Sequence, residues 1–530
     1  MAVTAAAVLV ALLALLTAVR PAIAAGSALL VALAVIAATQ RLAGTRVLAA
    51  AAGAVALALL TAAGALLVSV WPATVLLAAI VVGVLVLAWR RPALGLGAAV
   101  ALFGFEGSAK ILLGLESTPL PGGNRAVGAA ALDLALFGAV AVVLVKDRLR
   151  TPRAIWTSAS RIERAVIGTA LAWLALSIVQ IAQGGHLSRG FQGFRLFQAY
   201  TLVALATLVV FSRPRLRASA TSGALAIGLV VSLYAAVRVV LGPADAEQVF
   251  ALSISTVTMY GGAFRAVGSF SSAIGLSSFL TPVAVFALVV GFLAPSRRAL
   301  AWTVAVLAVV GLIGSYSRSS LFGVALGVVA GLALVLLAGS MPARRKLVAA
   351  GLVVALLAAT YGGVLLASRA SPQLRERAQG MLHPFSDESV RLRLKTWRNR
   401  LDEVAARPLG QGVGAVGAAS SPDRAVIKTT DNSFLKVLVE QGVIGFALFA
   451  CGVLGIVVAV ARRLRNAAGD SRSLGLAALA GFVAFLGTAA TGEAVEQPGK
   501  VVAWGLLGVA AAQAWPIARG TGETSGSASA

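Results

Sequence analysis

Long uncharged apolar runs recur along the whole of this chain, and no other feature restricts its fold so severely. Val47 to Val70 and Leu347 to Leu366 each continue for about 20 residues without a charged side chain. That is the length at which a helix rising about 1.5 Å per residue crosses a ~30 Å hydrocarbon core. Similar runs fall at 3–19, 22–39, 47–70, 73–89, 92–105, 126–145, 165–182, 196–211, 218–241, 276–294, 300–314, 320–338, 347–367, 435–461, 474–491 and 500–517. Inside lipid a segment must satisfy its own backbone hydrogen bonds, which selects helices for runs of this length. The expected fold is an all-α polytopic membrane protein of about 12–16 transmembrane helices, with one large, partly helical extracytoplasmic loop. A soluble reading fails on composition, because 59% hydrophobic and 12% charged residues leave too little polar surface to coat a globule.

The charge balance of 44 Lys and Arg against 19 Asp and Glu would suggest a nucleic-acid partner in a soluble protein. Here most of the excess lies in short links between apolar runs: Lys146 to Arg164, Arg213 to Arg217, Arg297 and Arg298, Arg344 to Lys346, and Arg462 to Arg472. Two apolar runs separate each link from the next, so all five can lie on the cytoplasmic side, as the positive-inside bias requires. The intervening loops 183–195, 242–275, 315–319, 368–434 and 492–499 then face outward, and they hold most of the carboxylates. No nucleic-acid partner is expected, and anionic lipid headgroups suit the basic links. The N-terminal run 3–19 lacks a basic region before it and reads as a first membrane helix rather than a cleaved signal.

The chain divides into N-terminal transmembrane helices (1–145), central transmembrane helices (146–367), a large extracytoplasmic loop (368–434), C-terminal transmembrane helices (435–517) and a disordered cytoplasmic tail (518–530). Both termini are placed in the cytoplasm, and the protein in the cell (plasma or inner) membrane. A loop as long as 368–434 is uncommon without a purpose of its own. Within it, Val390, Leu394, Trp397, Leu401 and Val404 recur at helical spacing behind Ser386, with Asp387 and Glu388 in the first turn. An amphipathic helix lying along the outer surface against the bundle is predicted, ended by Arg407 and Pro408. Gly323, Gly327 and Gly331 read as a seam of close helix packing.

Cys451 is the only cysteine, and His186 and His383 are the only histidines. No phosphate loop, no Asp-x-Asp pair and no His-Glu-x-x-His occurs, so neither a metal site nor a cofactor is expected. The candidates that remain are arginines and one acid. Arg318 sits in a short polar link, Ser315 to Ser320, between two apolar runs, where an arginine is costly unless it serves a function, snorkels, or bonds helix-end carbonyls. Arg265 precedes another run and alone would pass for a solvated loop residue. Arg393 lies near the edge of the amphipathic helix's apolar face, and Arg391 points further away. Asp431-Asn432 stands before the run at Phe434, and it is either a helix N-cap or a general base.

Four stretches taken in order resemble the O-antigen ligase and polysaccharide polymerase superfamily. They are Arg265-x-x-Gly268-x-Phe270, Ser317-Arg318-Ser319, Arg393 to Trp397 leading into Pro408-Leu409-Gly410-x-Gly412-Val413-Gly414, and Asp431-Asn432-Ser433-Phe434-Leu435 through Glu440-x-Gly442-Val443-Ile444-Gly445. The resemblance covers about residues 195–460. Asp431 stands where family ligases often carry histidine, a form more like the polymerase-type members. The resemblance implies a metal-independent, inverting glycosyl transfer on the outer face, from a polyprenyl-pyrophosphate-linked glycan to an acceptor hydroxyl on a glycan or lipid-linked acceptor. Arg265, Arg318 and Arg393 would then bind the pyrophosphate, with Arg318 and Asp431 catalytic. A surface or exported polysaccharide polymerase leads; a ligase of finished glycan, a lipid-linked glycan transporter or flippase, and a structural membrane protein are the alternatives.

Overall fold

The structure, a computed structural model, describes residues 72–114, 123–182, 186–213, 216–245, 247–248, 259–260, 263–337, 388–420 and 428–515. The apolar runs expected before residue 72 and at 347–367, and the tail at 518–530, lie outside those residues. The first helices are α1 (Pro72–Arg90), α2 (Pro92–Phe103), α3 (Glu106–Gly114), α4 (Gly123–Asp147) and α5 (Arg150–Ser158). Then come α6 (Arg161–Val179), α7 (Leu187–Leu196), α8 (Thr201–Phe211) and α9 (Arg217–Leu241). A two-residue antiparallel pair, β1 (Met259–Tyr260) with β2 (Ala263–Phe264), precedes α10 (Ala273–Leu293), α11 (Arg298–Gly314) and α12 (Arg318–Leu337). The chain continues through α13 (Glu388–Ala406), α14 (Ser433–Arg465), α15 (Gly469–Thr491) and α16 (Gly499–Ala514).

Among the described residues, 8 helical segments are long and apolar enough to cross a membrane, and α2, α16 and most of α1 form shorter apolar helices. The chain is therefore an all-α polytopic membrane protein. Its helices begin where local chemistry dictates. Ser160 and Glu163 form a reciprocal capping box at α6, and Ser272 accepts from the Gly275 amide at 3.0 Å to open α10. The apolar run at 92–105 breaks near Gly104, so that α3 starts at Glu106.

α10 and α15 are enclosed for most of their length, and the other spans surround them. The glycine seam of α12 lies on α15. A Cβ on Gly323 would sit 2.2 Å from Thr488 Oγ1, and one on Gly327 would sit 2.4 Å from Ala484 Cβ, so the two backbones touch where only glycine fits. Outer spans turn apolar side chains such as Val306, Phe322, Val329, Ile444, Leu454 and Val458 outward, as lipid contact requires.

α6 and α14 run antiparallel. Glu163 at the start of α6 pairs with Arg463 near the end of α14 (2.6 Å), whereas Trp173 and Ser177 bond the Gln441 side chain near its beginning (2.5 and 2.7 Å). This sorts the links into two ends of the bundle. One end carries Arg463, Glu163 and Trp515, with the Arg463 guanidinium over the indole. The other carries every candidate residue. The loop expected at 183–195 instead contains α7, whose Gly193 approaches so near to Gly414 that an added Cβ would lie 2.6 Å from its backbone. Buried Asp133, inside α4, accepts from Arg195 and Tyr200 and ties α4 to the α7–α8 junction.

Candidate active site

The arginine links come together at the turn that ends α11. Ala266 donates to the Gly314 carbonyl and Arg265 Nε to the Ser315 carbonyl, each at 2.9 Å, so the two residues each satisfy one backbone oxygen at the helix end. The alternative of a solvated loop residue does not hold for Arg265, which is 6% exposed and built into the structure. Tyr316 follows with φ of 53°, a left-handed conformation that is strained for a bulky residue. Arg318 then opens α12, where the helix dipole and unpaired amides favour anions.

A second turn gathers the remaining candidates. The Thr491 carbonyl at the end of α15 accepts from Ser319 Oγ at 3.1 Å and from Arg393 Nη1 at 3.4 Å. The neighbouring Gly492 carbonyl accepts from the Ser433 amide and hydroxyl at 3.1 and 2.8 Å. The next residue, Glu493, uses Oε1 to accept from the Thr430 amide (2.6 Å), the Thr429 and Thr430 hydroxyls (both 3.0 Å) and the Asp431 amide (3.2 Å). Three segments distant in sequence, those of Arg318, Arg393 and Asp431, thus meet on Thr491, Gly492 and Glu493.

Asp431 is not the cap. Asn432 caps α14, its Oδ1 accepting from the Phe434 and Leu435 amides at 2.9 and 3.0 Å. Asp431 is held just outside the helix at φ of 48°, half-buried, with Oδ1 accepting from Thr429 Oγ1 at 3.1 Å. Its carboxylate is therefore spared from backbone duty at the helix start. Burial, with the Glu496 carboxylate nearby, pushes Glu493 above the ordinary glutamate range.

α13 presents Arg393 as predicted, but only part of its apolar stripe docks. Trp397 and Val404 pack against Val416, Leu435, Leu438 and Val439, while Leu394 and Leu401 remain exposed. Arg391 is exposed as well. Arg400 donates to the Thr429 carbonyl at 3.3 Å and pairs with Glu403, so α13 is fastened to the Asp431 segment.

Behind the site the glycine-rich loop 408–417 is clamped by a buried ion cluster. Lys436 Nζ, fully enclosed, reaches the Val416 carbonyl and Glu440 Oε1 at 2.6 Å each, and Glu496 Oε1 at 3.0 Å. Glu440 Oε1 also accepts from the Gly414 amide (3.0 Å), and Glu496 Oε2 from the Ala418 amide (2.9 Å). Gly442 interrupts α14 at φ of 67° to let Pro408 to Gly410 pass; a Cβ there would lie 2.2 Å from the Pro408 carbonyl oxygen.

Sequence reasoning missed Glu493, Glu496, Lys436 and the Thr491 carbonyl as parts of this site. The acids in 492–499 and the one-turn spacing of Lys436 and Glu440 are the signals that the sequence offers. The arrangement brings the segments of Arg318 and Arg393 to the same turn as an Asp431 carboxylate not used for capping, which suits binding an anionic leaving group while accepting a proton.

Residues 303–450 match the O-antigen ligase family model, a span that includes Arg318, Arg393 and Asp431 and leaves out Arg265 and Glu493. No curated protein matches the chain. Residues 303–450 are thus similar to the O-antigen ligase family, and that similarity covers less than a third of the chain.

Proposed function

We propose that the protein is a glycan polymerase of the outer membrane face. It joins a polyprenyl-pyrophosphate-linked oligosaccharide to the hydroxyl of an acceptor glycan, without a metal ion and with inversion. The observation that carries this reading is the meeting of the Arg318, Arg393 and Asp431 segments on one turn, Thr491 to Glu493. The outward placement of that end rests on the basic links at the opposite end.

In the proposed step the acceptor oxygen attacks the anomeric carbon as the bond from that carbon to the pyrophosphate oxygen breaks. The hydroxyl proton passes to the Asp431 carboxylate. The leaving polyprenyl pyrophosphate keeps the bonding electron pair, and Arg318 and Arg393 offset its growing charge, with forked donors matched to phosphate oxygens. Arg265 completes the clamp from the α11 turn that it supports. The lipid tail lies along apolar surfaces of the spans.

The test is the length and amount of surface polysaccharide in cells lacking the protein, complemented with wild type, Arg318→Ala or Asp431→Asn at matched membrane levels. Asparagine tolerates the left-handed backbone at 431, so that variant probes charge rather than folding. Loss of the ladder of repeats in the null strain and in both variants is expected. A single transfer event in place of a ladder would indicate ligation, and an unchanged ladder throughout would favour lipid-linked glycan transport.

A further inference from the structure

Arg238, near the end of α9, takes no part in the chemistry above, yet it is a buried charge at the end of an apolar span. Its Nε lies 3.2 Å from Glu247 Oε2, and its Nε and Nη2 both donate to the Tyr234 hydroxyl at 3.2 Å. Tyr234 in turn donates to Glu247 Oε1, and the Ala244 amide donates to Oε2 at 2.9 Å. A buried ion pair seldom adds stability over an apolar packing of the same volume, so its presence asks for another reason.

The pair forms one wall of a cavity of about 150 Å³ whose other walls include Val239, Phe264, Gly268 and Tyr316. Three properties describe what would fit. The volume is that of one six-membered ring. Arg238 and Glu247 cancel in charge, and the buried Glu247 carboxylate in the cavity wall repels phosphate, so the cavity suits a neutral ligand able both to donate and to accept hydrogen bonds. Phe264 and Tyr316 add aromatic surface for an apolar ring face. The place is equally specific: Phe264 adjoins Arg265, and Tyr316, strained at φ of 53°, stands two residues before Arg318.

We propose that this cavity is a sugar subsite, which takes the pyranose nearest the pyrophosphate while Arg238 and Glu247 bond its ring hydroxyls. The proposal rests on the transferase reading and adds where the donor's first sugar is held.

Full-length protein in lipid nanodiscs would be titrated with two probes, the lipid-linked oligosaccharide purified from the source cells and bare undecaprenyl pyrophosphate. Wild type should prefer the sugar-bearing probe by about tenfold or more, as expected for bonds to charged partners. Val239→Phe, which fills the cavity from α9, should erase that preference and leave affinity for the bare probe within about twofold. Phe264→Leu, a milder change, should reduce the preference in the same direction. Equal preference in wild type and both variants would overturn the subsite while leaving the transferase reading intact. Failure of wild type to bind the bare probe, with Arg318→Ala no different, would overturn both.

Discussion

Lys436→Met tests whether the buried ion cluster holds the glycine-rich loop in place. The side chain keeps its length and loses its charge. In the folded protein one ammonium faces two carboxylates, Glu440 at 2.6 Å and Glu496 at 3.0 Å, with no solvent access to the lysine. Removing it leaves two acids facing one another and strips the Val416 carbonyl of its donor. Loss of one partner from a buried pair costs about 3–5 kcal/mol. Glu440→Gln should cost less, about 1–3 kcal/mol, because an amide oxygen still accepts from Gly414 and the lysine retains Glu496. The double variant restores the charge balance of the cluster, so its loss should fall short of the sum by about 0.5–3 kcal/mol. Unfolding midpoints of the detergent-solubilised protein in denaturant would give all four corners of the cycle, and limited proteolysis would report on residues 408–417. Losses that add to within about 0.5 kcal/mol would refute the cluster as a coupled unit.

Gly442→Ala should destabilise the protein by about 2–6 kcal/mol, combining backbone strain with forced contact at the Pro408 oxygen; a thermal midpoint equal to wild type would contradict the close crossing of Pro408 over Gly442. Asn432→Ala should cost about 1 kcal/mol as a lost N-cap, measured by the same denaturant midpoint, and a neutral result would reassign the cap to another group. Glu493 has a raised affinity for its proton in the folded state, so its contribution to stability falls as pH climbs from the ordinary value near 4.5 through the raised one. Glu493→Gln keeps the acceptor oxygen and should therefore stabilise the protein more at about pH 8 than at about pH 4.5; a difference independent of pH would show that the carboxylate does not titrate in that window.

Much of the architecture was readable because lipid imposes a simple rule on sequence. Spans announce themselves by length, Gly323, Gly327 and Gly331 by their spacing, and α13 by the recurrence of Trp397 and Val404. The rest escaped for physical reasons. Leu394 and Leu401 fit the docking stripe equally well, but an apolar side chain at a membrane surface has two destinations, bundle or lipid, and the spacing does not choose between them. The hub of the site is a pair of main-chain carbonyls, at Thr491 and Gly492, and a carbonyl leaves no mark in the sequence. Lys436 and Glu440 are visibly one helical turn apart, whereas Glu496 joins them only through the fold. The burial of Arg265 was not legible because its partner, the Ser315 carbonyl, is a main-chain oxygen in another segment.

The matched O-antigen ligase span does not build its own site. Within residues 303–450 lie Arg318, Arg393 and Asp431, but the carbonyl that receives Arg393 and Ser319 belongs to Thr491, and the acid that fixes the Asp431 backbone is Glu493. Glu496, the second anion on Lys436, also lies beyond the match. On the other side, Arg265 bonds the α11 end that leads into the strained Tyr316 turn. Two non-glycine residues at this end adopt left-handed backbones, Tyr316 just ahead of Arg318 and Asp431 just ahead of the α14 cap. Each conformation is costly alone and persists only where surrounding contacts leave the chain no alternative. In both cases contacts from within the span, Thr429 Oγ1 to the Asp431 amide and the Ile313 carbonyl to the Tyr316 amide, are joined by one from outside it, Glu493 and Arg265 respectively. A fragment ending at residue 450 would keep the three candidate side chains and lose the turn that brings them together.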